Sequence, residues 1–187
     1  MEFHDIDKIP LSVYTDAGQS WYSTKTGRLV VTVSFVGHAC VSGGAAVAEL
    51  VKKQMRRLAV GRERVSCYFG GYGEFDALSL SACRAVQKEC GNIELVYVAP
   101  YMTLSEQAKI KEMRALRLYD SFLYPPIEGV PPRFAIIKRN EWMMASADLV
   151  IAYVKRSSGG AYRALLAAKR KRKDIINIFD LLLPENV

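Results

Sequence analysis

The sequence has few groups for metal or thiol chemistry. Only two histidines occur, His4 and His38, and the four cysteines (Cys40, Cys67, Cys83, Cys90) contain no C-x-x-C pair, so no standard zinc spacing can be assembled and no metal ligand is assigned. The cysteines read as buried free thiols. A Cys40–His38 dyad rests on sequence proximity alone, whereas a catalytic pair needs proximity in space. No apolar run approaches the roughly 18 residues needed to span a bilayer. The N-terminus, MEFHDIDKIP, has acids where a secretory leader would be basic and then apolar, so a cytoplasmic protein without a membrane partner is expected. The low-hydrophobicity, high-charge signature of disorder is also missing, because 50% of the 187 residues are hydrophobic and 24% are charged. The length suits about one compact domain.

What is present is a repeated unit. Residues 1–28 are polar and aperiodic and read as an N-terminal extension; residues 29–187 read as a single domain. LVVTVSFVG (29–37) is a β-branched run closed by glycine, the mark of a buried strand. A helix over 43–58 follows, with Val47, Leu50, Val51, Met55 and Leu58 on one face and Lys52, Lys53, Arg56 and Arg57 largely on another. RVSCYFG (64–70) and IELVYVAP (93–100) repeat the strand, and Phe75, Leu78, Ala82 and Val86 keep helical spacing between them. A polar helix from Ser105, its expected N-cap, to Leu118 precedes a short strand and a proline-stiffened loop over 119–132. Helices over 133–147 and 161–172 then flank the strand DLVIAYV (148–154), and IINIF (175–179) closes the pattern.

Strands alternating with helices predict an α/β, Rossmann-like, mostly parallel sheet with helices on both faces. In such sheets ligands sit outside the carboxyl ends of the strands, at the topological switch point. The loops there are GHACVSGG, GGYGEFD, APYMT and KRSSGG. Glycine pairs allow close backbone approach, and the first turn of a following helix presents N–H groups to an anion, so phosphate is the natural ligand. Gly70, Gly71 and Gly73 form G-G-x-G, which is neither the dinucleotide fingerprint nor a P-loop. Glu74 and Asp76 behind them suit a helix start, a ribose contact, or general acid and base work at a glycosidic carbon. On a helix they point about 200° apart, so at most one faces the site. Ser157, Ser158, Gly159 and Gly160 make a second anion cradle, or simply an N-capped helix start. Lys138, Arg139 and Asn140 by themselves read as a solvated helix face.

FVGH (35–38), FGGYGEFD (69–76), RNEWMMASADLVIAYV (139–154) and SGGAYRALLAAKRKRKDIINI (158–178), in that order, resemble the SLOG superfamily, especially its YpsA-like branch. The resemblance covers residues 29–179 and implies a Rossmann-like domain that binds a nucleotide or nucleotide-derived ligand. It places Gly37, His38, Gly70, Gly71, Gly73, Glu74, Asp76, Arg139, Asn140, Ser158, Gly159 and Gly160 around the pocket, and it makes subunit pairing an expectation. Relatives include DprA-like proteins and Lonely Guy phosphoribohydrolases. The latter carry Pro-Gly-Gly-x-Gly-Thr-x-x-Glu, whereas the late turn here is KRSSGGAY, without the proline or the glutamate.

Three functions follow as expectations. The first is binding of a nucleotide-type small molecule, with no other cofactor assigned. The second is hydrolysis of an N-glycosidic or phosphoester bond, with Glu74 or Asp76 as acid and base. The third is nucleic-acid binding, suggested by a net charge of +7 and the run KRKRK (169–173).

Overall fold

The computed structural model describes residues 30–182; the expected N-terminal extension and residues 183–187 lie outside the described residues. The elements are β1 (Val30–Gly37), α1 (Gly44–Ala59), β2 (Arg64–Phe69), α2 (Glu74–Cys90), β3 (Ile93–Val98), α3 (Leu104–Ala115), β4 (Ser121–Leu123), α4 (Pro132–Ser146), β5 (Leu149–Tyr153), α5 (Gly159–Arg170) and β6 (Asp174–Asn177), followed by a 3₁₀ turn, Asp180–Leu182.

All six strands pair in parallel in the order β4-β3-β2-β1-β5-β6. The chain steps outward from β1 to β4 and then crosses back to lay β5 on the other side of β1. The reversal makes the β1/β5 boundary the switch point. Its register is pinned at the amino end by Asp148, whose carboxylate accepts from the Thr32 amide (3.0 Å) while its own amide donates to the Thr32 carbonyl (2.8 Å). At the carboxyl end of β5, Asn177 takes up both backbone groups of Val154 at 3.0 Å.

Alternate residues of the central strands face two cores, which is why their sequences read as unbroken apolar runs. Val31, Val33, Phe35, Leu149, Ile151 and Tyr153 join Val47, Val51, Met55 and Leu58 of α1, Phe75, Ala82 and Val86 of α2, and Met113 of α3. Val36, Val150, Ala152 and Val154 join Met143 and Met144 of α4 and Ala164, Leu165 and Ala168 of α5. Each fully buried aliphatic side chain contributes about 1.5–3 kcal/mol. Phe35 and Phe69 stack across β1 and β2 with centroids 4.8 Å apart.

Four local expectations need correction. Thr103, not Ser105, caps α3, because its Oγ1 accepts from the Glu106 amide. Helix α5 begins at Gly159, two residues earlier than its composition suggests, because the glycine pair enters the first turn. Of the four free cysteines only Cys67 and Cys83 are buried; Cys40 and Cys90 are exposed. Leu50 is only partly buried, and Gln54 takes a place on the inner face of α1.

Candidate functional site

A cleft of about 320 Å³ opens at the switch point, at the carboxyl ends of β1 and β2 and between α4 and α5. That volume lies near the lower end of small-molecule sites. Gly37, His38, Gly70, Gly73, Asp76, Arg139, Asn140 and Gly160 line it, together with Tyr72, Ile136, Met143 and Ala161. Gly71, Glu74, Ser158 and Gly159 are not among its lining residues.

The β1 end is closely packed and hydrogen-bonded. Gly37 is in contact with α2: a Cβ there would meet the Phe75 side chain at 2.4 Å. The His38 amide donates to the Tyr153 carbonyl (3.1 Å), and its Nε2 accepts from the amides of Lys155 and Arg156, each at 3.2 Å. An accepting Nε2 places the proton of the neutral ring on Nδ1. Burial, then Arg156 and Lys155, lowers the His38 pKa and favours that neutral ring. The accepting nitrogen is thus turned to the β5–α5 loop rather than to Cys40.

The two acids part company as helical geometry requires. Glu74 is exposed; its carboxylate accepts from the Val41 amide (2.8 Å) and its amide donates to the Ala39 carbonyl (2.9 Å), so it clips the β1–α1 loop to the start of α2. Asp76 faces the cleft, and its two oxygens accept from the amides of Gly70 (3.0 Å) and Gly71 (2.8 Å). Burial raises its pKa to about 6, against those two amides and the positive charges of Arg139 and Lys109. The amides that a glycine turn offers to an anion are here taken by the protein's own carboxylate. Gly71 and Gly73 have φ of 74° and 87°, and a Cβ on Gly71 would lie 2.7 Å from the Tyr97 ring, so the turn requires glycine there.

The opposite wall differs. In α5, Ser158 holds the N-cap position but its hydroxyl bonds no first-turn amide, and no acid stands in the first turn. Gly160 and Ala161 of that turn line the cleft. From α4 comes Arg139, only 1% exposed, which corrects the expectation of a solvated basic face. Its Nη1 donates to the carbonyls of Gly70 (2.8 Å) and Val98 (2.6 Å), at the ends of β2 and β3. Its Nε has no hydrogen-bond partner, and among the described residues the guanidinium forms no ion pair. Burial lowers its pKa from the ordinary value, partly offset by Tyr97 and Asp76. Asp76 and Glu106 act on the guanidinium at longer range, but no carboxylate reaches it directly, which leaves this wall suited to an anion.

A polar cluster behind the glycine turn lies outside the sequence expectations. Tyr97 is fully buried, donates to Glu106 Oε1 (2.5 Å) and accepts from Lys109 Nζ (3.0 Å). Burial and Glu106 push its phenol pKa well up. Lys109 Nζ and Arg139 Cζ lie 5.0 and 5.6 Å from the centroid of the Tyr72 ring. The available signal was the aromatic inside the turn itself, between Gly71 and Gly73.

Comparison of the sequence with protein families finds no match, and comparison with curated proteins finds none either. Solved structures do share the fold. DNA processing protein A (DprA) from Streptococcus pneumoniae superposes with a TM-score of 0.54 at 16% identity, covering 78% of this chain and 49% of that one. DNA processing protein A from Helicobacter pylori, described for its single-stranded DNA binding mode, gives 0.50 at 15% identity, covering 78% and 63%. The chain thus spans less than two thirds of either protein, and at these identities the likeness establishes a shared α/β Rossmann-like fold.

Proposed function

We propose that the cleft binds a nucleotide or nucleotide-derived ligand, with the phosphate between the first turn of α5 and Arg139 and the ribose near Asp76 and Asn140. The observation that carries this reading is the buried Arg139 guanidinium, which lines the cleft with an unpartnered Nε and no carboxylate paired to it. A phosphate supplies the missing charge, and an uncapped helix start supplies donors. Asp76, its oxygens anchored on the glycine turn, is an acceptor for a ribose hydroxyl. The motifs FVGH, FGGYGEFD, RNEW and SGGA support a place in the YpsA-like branch of the SLOG superfamily. Calorimetry with nucleoside mono- and diphosphates, ADP-ribose and NAD tests the reading. Saturable binding to a folded protein supports it; no heat with any of them removes it.

A second reading is DprA-like binding of single-stranded DNA. It is favoured by the fold shared with DprA and by the +7 charge, with Lys155, Arg156 and Lys169–Arg172 exposed around the β5–α5 unit. Filter retention of an oligonucleotide that falls steeply with salt supports it. No retention at low salt dismisses it.

A further inference from the structure

We infer that Tyr72 is the nucleobase platform of this cleft, so that the ligand is held at two ends: phosphate at α5 and an aromatic base at the β2–α2 turn. The inference rests on the nucleotide reading and deepens it. Tyr72 lines the cleft yet is 49% exposed, while Phe35, also in the lining, is 3% exposed and packed in the core. Lys109 and Arg139 lie over the ring, and the half of its surface that stays exposed is open to a ligand.

Its setting keeps the ring at the cleft. Tyr72 sits between Gly71 and Gly73, whose positive φ values make the turn, and Asp76 ties the turn to α2 through the amides of Gly70 and Gly71. The ring also has Lys109 and Arg139 as cationic neighbours. Lys109 is held in turn by Tyr97 and lies 3.8 Å from the buried Glu106 carboxylate, so its ammonium stays beside the ring. The buried group beneath the turn thereby acquires a purpose: it fixes the side chain that flanks Tyr72.

The geometry also sets the span. In the sheet order β2-β1-β5, the β2 turn and the β5–α5 turn are two strands apart. That is about 9–10 Å at the usual inter-strand spacing, a distance that a nucleoside monophosphate bridges and a sugar phosphate does not. Stacking on a ring tolerates any base, so the platform recognises aromatic bases as a class.

The test compares adenosine 5′-monophosphate with ribose 5-phosphate on the wild type, Tyr72→Ala and Tyr72→Phe, all shown folded by circular dichroism. The wild type is expected to prefer the nucleotide by about tenfold or more, the usual scale of one stacked base. Tyr72→Ala is expected to abolish that preference while leaving ribose 5-phosphate affinity within about twofold, and Tyr72→Phe to retain it. Equal affinities in the wild type, or a preference that survives in Tyr72→Ala, overturn the platform and leave the phosphate end standing. Absence of binding by both ligands in the wild type overturns the platform, and silence of nucleoside diphosphates, ADP-ribose and NAD as well overturns the nucleotide reading with it.

Discussion

Two glycine-rich turns meet at one edge of the sheet, and they are chemically opposite. In the β2–α2 turn, Gly70 and Gly71 give their amides to Asp76, so the turn is satisfied from within. In the β5–α5 turn, Ser158 makes no capping bond and no acid follows, so the helix start keeps its donors for whatever enters the cleft. Glycine content alone does not distinguish a finished turn from an open cradle. What distinguishes them is whether a carboxylate of the same chain already occupies the amides.

The contrast can be broken most sharply at Gly160. A Cβ there meets nothing within 4 Å, so Gly160→Asp fits the fold, and an acid in a first turn favours the helix. The same carboxylate repels a bound phosphate. Calorimetry should show nucleotide affinity falling by about a hundredfold or more, since like charges at close range cost several kcal/mol. The thermal midpoint should not fall.

Next comes a paired replacement by alanine. Gly71→Ala forces a side chain into a left-handed conformation and against Tyr97, and should destabilise the protein by about 1–3 kcal/mol in urea unfolding. Gly160→Ala replaces a first-turn glycine without a clash and should stabilise by less than about 1 kcal/mol. Equal effects at the two positions would erase the distinction between the turns.

The smallest effect concerns pH. Asp76 has a folded pKa of about 6, raised from a reference value of 3.8, so between those values the folded state binds more protons than the unfolded state. Its contribution to stability therefore improves as pH falls from about 6 toward 3.8 and is lost as pH rises through 6. His38 acts in the opposite sense: its lowered pKa removes stability as pH falls below its unfolded value of 6.5. Subtracting Asp76→Asn isolates the first term, because His38 is common to both proteins. The wild type should gain on Asp76→Asn between pH 7 and pH 5 in urea midpoints, and a constant difference would mean that Asp76 is not desolvated. Should the cleft be hydrolytic, Asp76→Asn is also the variant expected to lose turnover, with Glu74→Gln as the comparison outside the cleft.

Much of the fold was legible because parallel strands covered on both faces have to be apolar throughout. VVTVSFVG, RVSCYFG, IELVYVAP and DLVIAYV each fall on a strand of the sheet. Boundaries were less legible where a short polar side chain competes for a cap, as Thr103 does with Ser105. The character of Arg139 was hidden by its neighbour, since Lys138 is exposed and the pair reads as surface. The periodicity did contain the answer: Ala135, Arg139 and Met143 stand four apart on one face of α4, and all three are buried. An arginine in an apolar stripe is a stronger sign of a site than one in a basic run. The commitment of Asp76 to the glycine turn could not be read, because it depends on the turn's backbone folding back toward the first turn of α2.

The central claim is that the anion end of the cleft is the α5 start and not the glycine turn after β2. An amide-resolved NMR titration with inorganic phosphate, which brings no base to Tyr72 and no ribose to Asp76, tests it most directly. The largest saturable shifts are expected at the amides of Gly160 and Ala161, with those of Gly70 and Gly71 still protected by Asp76 and little changed. Large shifts at Gly70 and Gly71 with α5 silent would contradict it.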